Sequence, residues 1–204
     1  MLNNTTQNEI NRYLTLNRIA ESYGTVIFGG SEAKEIPLCE LKQAFELNSF
    51  LYNRSFSNLS VKDATQLYDK CIAKLKPETI FLHIGEADLE FFSEHPTNFG
   101  QTYRELIEEI KSSNPKCNIV IVSLKNPNEN ATITELNKHL KYIAESERYE
   151  YCDISTKRVW NPRETKDIIS FVYSTGFVRP LKAKKPVYDL VKILFCYEPT
   201  CLVK

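Results

Sequence analysis

The chain is poor in histidine, glycine and methionine: its 204 residues include three His, six Gly and one Met. It also has no surplus of either charge, with 26 Lys+Arg against 26 Asp+Glu. Each scarcity excludes something. A protein that grips a phosphate backbone needs a basic excess, so no nucleic-acid partner is expected. No stretch approaches the roughly 18 consecutive apolar residues of a membrane span, and no membrane partner is expected either. The polar start, Met1 to Gln7, lacks the apolar centre of a secretion signal, which predicts a cytoplasmic chain. The cysteines (Cys39, Cys71, Cys117, Cys152, Cys196 and Cys201) show no pair with the two-residue gap of a zinc or redox motif. They read as reduced thiols that mostly fill core positions. Gly29-Gly30 stands alone rather than in a glycine-rich loop that could cradle phosphates, which argues against a nucleotide or flavin protein. No cofactor and no metal are expected.

What is present is a globular composition, with 42% hydrophobic and 25% charged residues, at a length suited to one domain over residues 1–204. Thr6-x-x-Glu9 has the form of a capping box and precedes a helical spacing of apolar residues, so a helix is expected over about 7–22, stopped by Gly24. Thr25-Val26-Ile27-Phe28 reads as a buried strand that ends in a tight turn at Gly29-Gly30-Ser31. Residues 38–47 have mixed helical character, and 49–53 read as a second strand. Ser60 is the expected cap of a helix near 61–75. A third strand follows at 79–84, then an acidic and aromatic loop from Glu86 to Pro96. A helix at about 97–113, a strand at 118–124, a helix at 132–147 and a strand at 149–153 come next. An irregular stretch to about residue 182 and a final helix at 184–196 complete the chain.

Strands alternating with helices predict right-handed crossovers and a parallel sheet covered on both faces. In such a sheet the site lies beyond the carboxyl ends of the strands. Here those ends are Gly29–Ser31, Asn53–Asn58, Gly85–Asp88 and Leu124–Asn128, where polar residues and glycine concentrate.

These blocks resemble those of the SGNH, or GDSL-type, hydrolases, a family of esterases and lipases. The family's first block is an apolar strand followed by Gly-Asp-Ser; here it reads Gly29-Gly30-Ser31. The second resembles Asn53-Arg54-Ser55-Phe56-Ser57-Asn58, with Asn58 where the family has glycine. The third, Gly-x-Asn-Asp in the family, reads Gly85-Glu86-Ala87-Asp88, with Ala87 in place of asparagine. The last, Asp-x-x-His before the terminal helix, falls on Thr175 to Pro180, which contains neither residue and has Val178 in the histidine's region. The resemblance covers about residues 7–196. It implies a three-layer α/β/α, flavodoxin-like fold with a five-stranded parallel sheet.

The resemblance also implies ester hydrolysis, with Ser31 as nucleophile and the backbone N–H groups of Ser31 and Asn58 as oxyanion donors. Gly30, Gly85, Glu86 and Asp88 would line the same pocket, and the ligand would be a small ester or carbohydrate-like molecule. A serine hydroxyl needs a base within hydrogen-bond reach. His95, in the loop expected to overhang the site, is the candidate. The alternative is a catalytically inactive relative that uses the cleft to bind a small ligand or a protein partner. The remaining imidazoles have plainer readings, His139 as a solvated helix residue and His83 as a buried, hydrogen-bonded strand residue. Glu86, Asp88 and Glu90 read as a solvated loop and helix-terminal charge, with Asp88 holding the loop by accepting backbone N–H bonds. Asp167-Ile168-Ile169-Ser170 echoes the last block, with serine for histidine, in poor register to the final helix. A basic excess from Arg158 to Lys185 with interleaved aromatics reads as a solvated rim, or as a receiver for an anionic ligand or acidic partner.

Overall fold

A computed structural model describes residues 4–47, 49–126, 128–155 and 187–195. The elements in order are α1 (Asn4–Leu16), β1 (Thr25–Gly29), α2 (Ser31–Lys34), α3 (Leu38–Ala44), β2 (Leu51–Asn53), α4 (Val61–Cys71) and β3 (Thr79–His83). They continue with α5 (Leu89–Glu94), α6 (Pro96–Ser113), β4 (Asn118–Val122), α7 (Ala131–Ser146), β5 (Glu150–Cys152) and α8 (Val187–Phe195). The five strands form one sheet in the order β2-β1-β3-β4-β5, and every pairing is parallel.

The alternation of side chains along a strand divides the core. Val26, Phe28, Ile80, Leu82, Ile119 and Ile121 face the layer of α1, α4, α5, α6 and α7. Ile27, Phe81, Val120 and Val122 face α2, α3 and α8. Both faces are dry, which is why the central strands read as unbroken apolar runs. Chain order reverses between β1 and β3, so the crevice between their carboxyl ends is the switch point of the sheet. Gly29 closes that seam. A Cβ there would lie 2.5 Å from the His83 carbonyl oxygen and 2.7 Å from the Ala33 Cβ.

Four elements differ from the sequence expectation. Helix α1 starts by Asn4 and ends at Leu16 rather than near residue 22. Tighter turns follow, with Arg18 N–H on the Thr15 carbonyl and Ile19 N–H on the Leu16 carbonyl. The Asn17 side chain is drawn into the body of the protein, donating to the Cys71 carbonyl and accepting from Arg54. Thr6 and Glu9 lie inside α1 and are buried, so Thr6 is no cap. The acidic loop is helical, as a 3₁₀ turn over Glu86–Asp88 followed by α5, because Phe92 buries beneath it and Phe91 lies under the Lys62 ammonium at 3.8 Å. The third strand stops at His83 and the fourth at Val122. The cap at Ser60 is found as expected, its side chain accepting from Asp63 N–H.

Of the cysteines, Cys71 and Cys117 are buried free thiols, Cys39 is exposed and Cys152 is half-buried. Cys196, Cys201 and most of the stretch from Ile154 to Lys182 lie outside the described residues. Among the described residues no helix is long and apolar enough to cross a membrane, and no group of three metal-binding side chains occurs.

Candidate functional site

Ser31 is the first residue of α2, two residues after the seam glycine Gly29, with Gly30 as extended N-cap. It is half-buried at the switch point. Its Oγ accepts the Asn58 backbone N–H at 3.0 Å and lies 3.3 Å from Asn58 Oδ1, to which it donates. Asn58 has φ +52°, the left-handed region that the family's glycine occupies freely and that asparagine tolerates best among other residues. The first and second blocks therefore meet as the sequence reading expected.

The first half of the second block is anchored through Asn53 and Arg54. Its backbone continues beside β1, with Arg54 N–H on the Ile27 carbonyl and Phe56 N–H on the Gly29 carbonyl. Asn53 donates to the Ala33 carbonyl at 2.8 Å and accepts from Ser55 N–H at 3.0 Å. Arg54 is buried, donates from Nε to Asn17 Oδ1 at 2.9 Å, and lies near the Tyr13 and Tyr52 rings. Burial holds its pKa below the ordinary value of a guanidinium. The Tyr13 hydroxyl donates to the Ser55 carbonyl.

The third block contributes three distinct roles. Gly85 has φ +133°, a backbone state that a side chain would strain. Glu86 is exposed, and its carboxylate accepts Glu32 N–H at 3.1 Å, over the turn that carries Ser31. A Cβ on Gly30 would approach Glu86 Oε2 to 3.0 Å, so the small residue at position 30 and the long one at 86 fit each other. Nothing in the sequence pattern signalled that pairing. Asp88 is buried, and its two oxygens accept Val61 N–H at 3.1 and 3.0 Å, tying the end of β3 to the start of α4. This is the backbone-binding role expected of it. Burial raises its pKa to about 6, against the lowering effects of the Val61 bond and Lys62.

The imidazoles are placed differently from one another. His95 is exposed, 3.9 Å from Glu94, and packs on the Phe91 ring. Among the described contacts it has none with Ser31. His139 is half-buried rather than solvated. It lies against Phe92 and Phe99 in the gap left by Gly100, where a Cβ would come within 2.5 Å of Nε2. His83 is fully buried as expected, but without the expected hydrogen bonds: among the described residues neither ring nitrogen finds a partner of acceptable geometry. Its Nε2 lies 3.5 Å from Glu32 Oε2, and Glu32 in turn pairs with Lys125 at 3.0 Å. Burial lowers the His83 pKa to about 4; Glu32 and the Ser123 backbone pull the other way, and Lys125 adds to the lowering. The sequence reading missed Glu32 and Lys125, which become neighbours only when α2 packs over the ends of β3 and β4.

The region of the last block, Thr175–Pro180, lies outside the described residues, as do Asp167–Ser170 and the basic run from Arg158 to Lys185. The sequence has no histidine after His139.

No family model matches the sequence, and no curated protein matches it. Solved structures do. A structure provisionally described as a platelet activating factor from Streptococcus pneumoniae aligns with TM-score 0.61 and 19% identity over 74% of this chain and 75% of that one. A catalytic mutant of an acetylxylan esterase from Geobacillus stearothermophilus aligns with TM-score 0.53 and 18% identity over 86% and 92% of the two chains. A GDSL-like lipase from Bacteroides thetaiotaomicron aligns with TM-score 0.57 and 14% identity over 83% and 97%. At these identities the likeness speaks for architecture: the chain has the three-layer α/β/α fold of the SGNH, or GDSL-type, hydrolases.

Proposed function

We propose that the crevice at Ser31 is a ligand site for a small acyl- or carbohydrate-like molecule, and that the chain binds there without turning esters over at the rate of a serine esterase. The observation that carries this reading is the bonding of Ser31 itself. Its hydroxyl proton is directed at the amide oxygen of Asn58, 3.3 Å away. An amide oxygen is far too weak a base to activate a nucleophile at neutral pH. His83 is withdrawn into the core with its pKa near 4, and it lies against Glu32. The family's asparagine donor is replaced by Ala87. Losing a triad base removes several orders of magnitude of rate, and losing one oxyanion donor removes on the order of 100-fold more.

The second reading is ester hydrolysis through Ser31. It is favoured by the Asn58 N–H, which already points at Ser31 Oγ, and by the fold shared with esterases. In that reaction Ser31 Oγ attacks the ester carbonyl, and the Ser31 and Asn58 N–H groups hold the oxyanion. The serine proton passes to a base that then protonates the leaving alkoxide, and the same base takes a proton from the water that cleaves the Ser31 acyl ester and returns it to Oγ, a role for which His95 is the candidate. Incubation with a fluorophosphonate probe separates the two. The binding reading expects no labelling above that of Ser31→Ala. Labelling that disappears in Ser31→Ala establishes an activated serine and overturns it.

A further inference from the structure

The second block leaves the sheet after Phe56, whose N–H is the last to bond β1, on the Gly29 carbonyl. Two residues later Asn58 must hold a left-handed backbone with its N–H aimed at Ser31. A non-glycine residue persists in that conformation only where its surroundings fix it. The fixing contacts come from elsewhere in the chain. Glu9 of α1 is buried, and its carboxylate accepts Ser57 N–H at 3.3 Å and Ser57 Oγ–H at 2.8 Å. Lys34, on the last turn of α2, donates to Glu9 Oε1 at 2.6 Å and to Ser57 Oγ at 2.7 Å. The ammonium therefore rides on the same short helix as Ser31, and the hydroxyl belongs to the residue before Asn58.

We infer that Glu9, Lys34 and Ser57 are positioning residues that set the distance between the Asn58 N–H donor and Ser31. The inference rests on the reading of Ser31 and Asn58 as the centre of the site. The physical argument is one of connectivity. α2 has only four residues and cannot hold its orientation by its own hydrogen bonds. An ion pair at its far end, shared with the loop that carries the donor, couples the two partners so that they move together. Glu9 supplies the common acceptor because a carboxylate can receive the ammonium, the backbone N–H and the hydroxyl at once. Glutamine at position 9 would keep an acceptor for Ser57 but lose the charge that holds Lys34.

The test uses the full chain and reads the Asn58 amide by ¹H–¹⁵N NMR, before any ligand is sought. In the parent, Ser31→Ala moves the Asn58 amide resonance because its acceptor is removed. In Glu9→Gln and Lys34→Met the Asn58 and Ser57 amides should exchange with solvent about tenfold faster while the β3 amides are unchanged. In those variants the response of Asn58 to Ser31→Ala should shrink. Lys34→Arg, which keeps the charge, should stay near the parent. Ser57→Ala removes one hydroxyl from a half-buried site and serves where Glu9→Gln fails to fold; it should show the same local loosening. Asn58 exchange in Ser57→Ala and Lys34→Met within about twofold of the parent overturns the inference. This readout needs no ligand, so it stands apart from the labelling test: an inert Ser31 with a loosened Asn58 defeats hydrolysis and supports the positioning role.

Discussion

The two sides of the β3 carboxyl end treat a buried titratable group in opposite ways. On the side of α4, Asp88 places both oxygens on one backbone N–H at the start of a helix and is satisfied there. On the side of α2, His83 enters the core with neither nitrogen partnered among the described residues, beside a Glu32–Lys125 pair whose charges oppose one another. Burial perturbs both groups towards their neutral forms. It raises Asp88 to about 6 and lowers His83 to about 4. The consequences for stability have opposite signs. Neutral His83 is favoured in the folded state, so its contribution is whole above the unfolded value of 6.5 and is lost as pH falls towards 4. Asp88 is harder to ionise when folded than an ordinary aspartate at 3.8, so its contribution is whole below 3.8 and is lost as pH rises through about 6. Between pH 6.5 and 4 the two contributions run in opposite directions.

That opposition can be broken from either side. The largest effect is expected at the seam the sides share. Gly29→Ala forces a Cβ against the His83 carbonyl, which must shift backbone, and should cost about 3 kcal/mol or more in urea unfolding at neutral pH. Asp88→Asn keeps an acceptor for Val61 but abolishes the titration. Compared with the parent, its stability should fall more steeply between pH 6.5 and 4, by about 2 kcal/mol more. An unchanged slope would mean that Asp88 does not titrate in this window. His83→Leu should do the reverse, making the fall in stability over the same descent in pH shallower than in the parent, and rising modestly at pH 7, because the desolvation of a buried imidazole is removed. Ser60→Ala, on the satisfied side, removes the cap of α4 and its bond to the Asp63 carboxylate and should cost about 1 kcal/mol in urea unfolding at neutral pH.

Much of this comparison was visible in the sequence and part of it was not. Thr25 to Phe28 and the apolar run from Asn118 to Leu124 announce themselves as buried parallel strands, the second of which ends at Val122 in the structure. The Ser60 cap is legible because its partner is three residues away. Asp88 as a backbone acceptor follows from its match to the aspartate of the third block in the family the sequence resembles. The helicity of Glu86 to Glu94 was hidden, because its acidic character masks the burial of Phe92. The end of α1 at Leu16 was hidden too, because the side chain of Asn17 is claimed by Arg54 and Cys71, which lie far along the chain.

The sequence by itself determined the alternation of strands and helices, the serine after the first strand, and the absence of any histidine beyond His139. Those are matters of local pattern and of residue identity, and no folding can change them. Tertiary structure alone decided that the Ser31 hydroxyl faces an asparagine, that Glu9 and Lys34 converge on Ser57, and that Glu86 lies over Gly30. Each of these joins side chains separated by tens of residues, and their meeting depends on how helices settle on the sheet. Strand periodicity fixes which face a residue takes. The packing of α1 and α2 fixes which neighbours it finds there, and for Ser31 that neighbour is an amide.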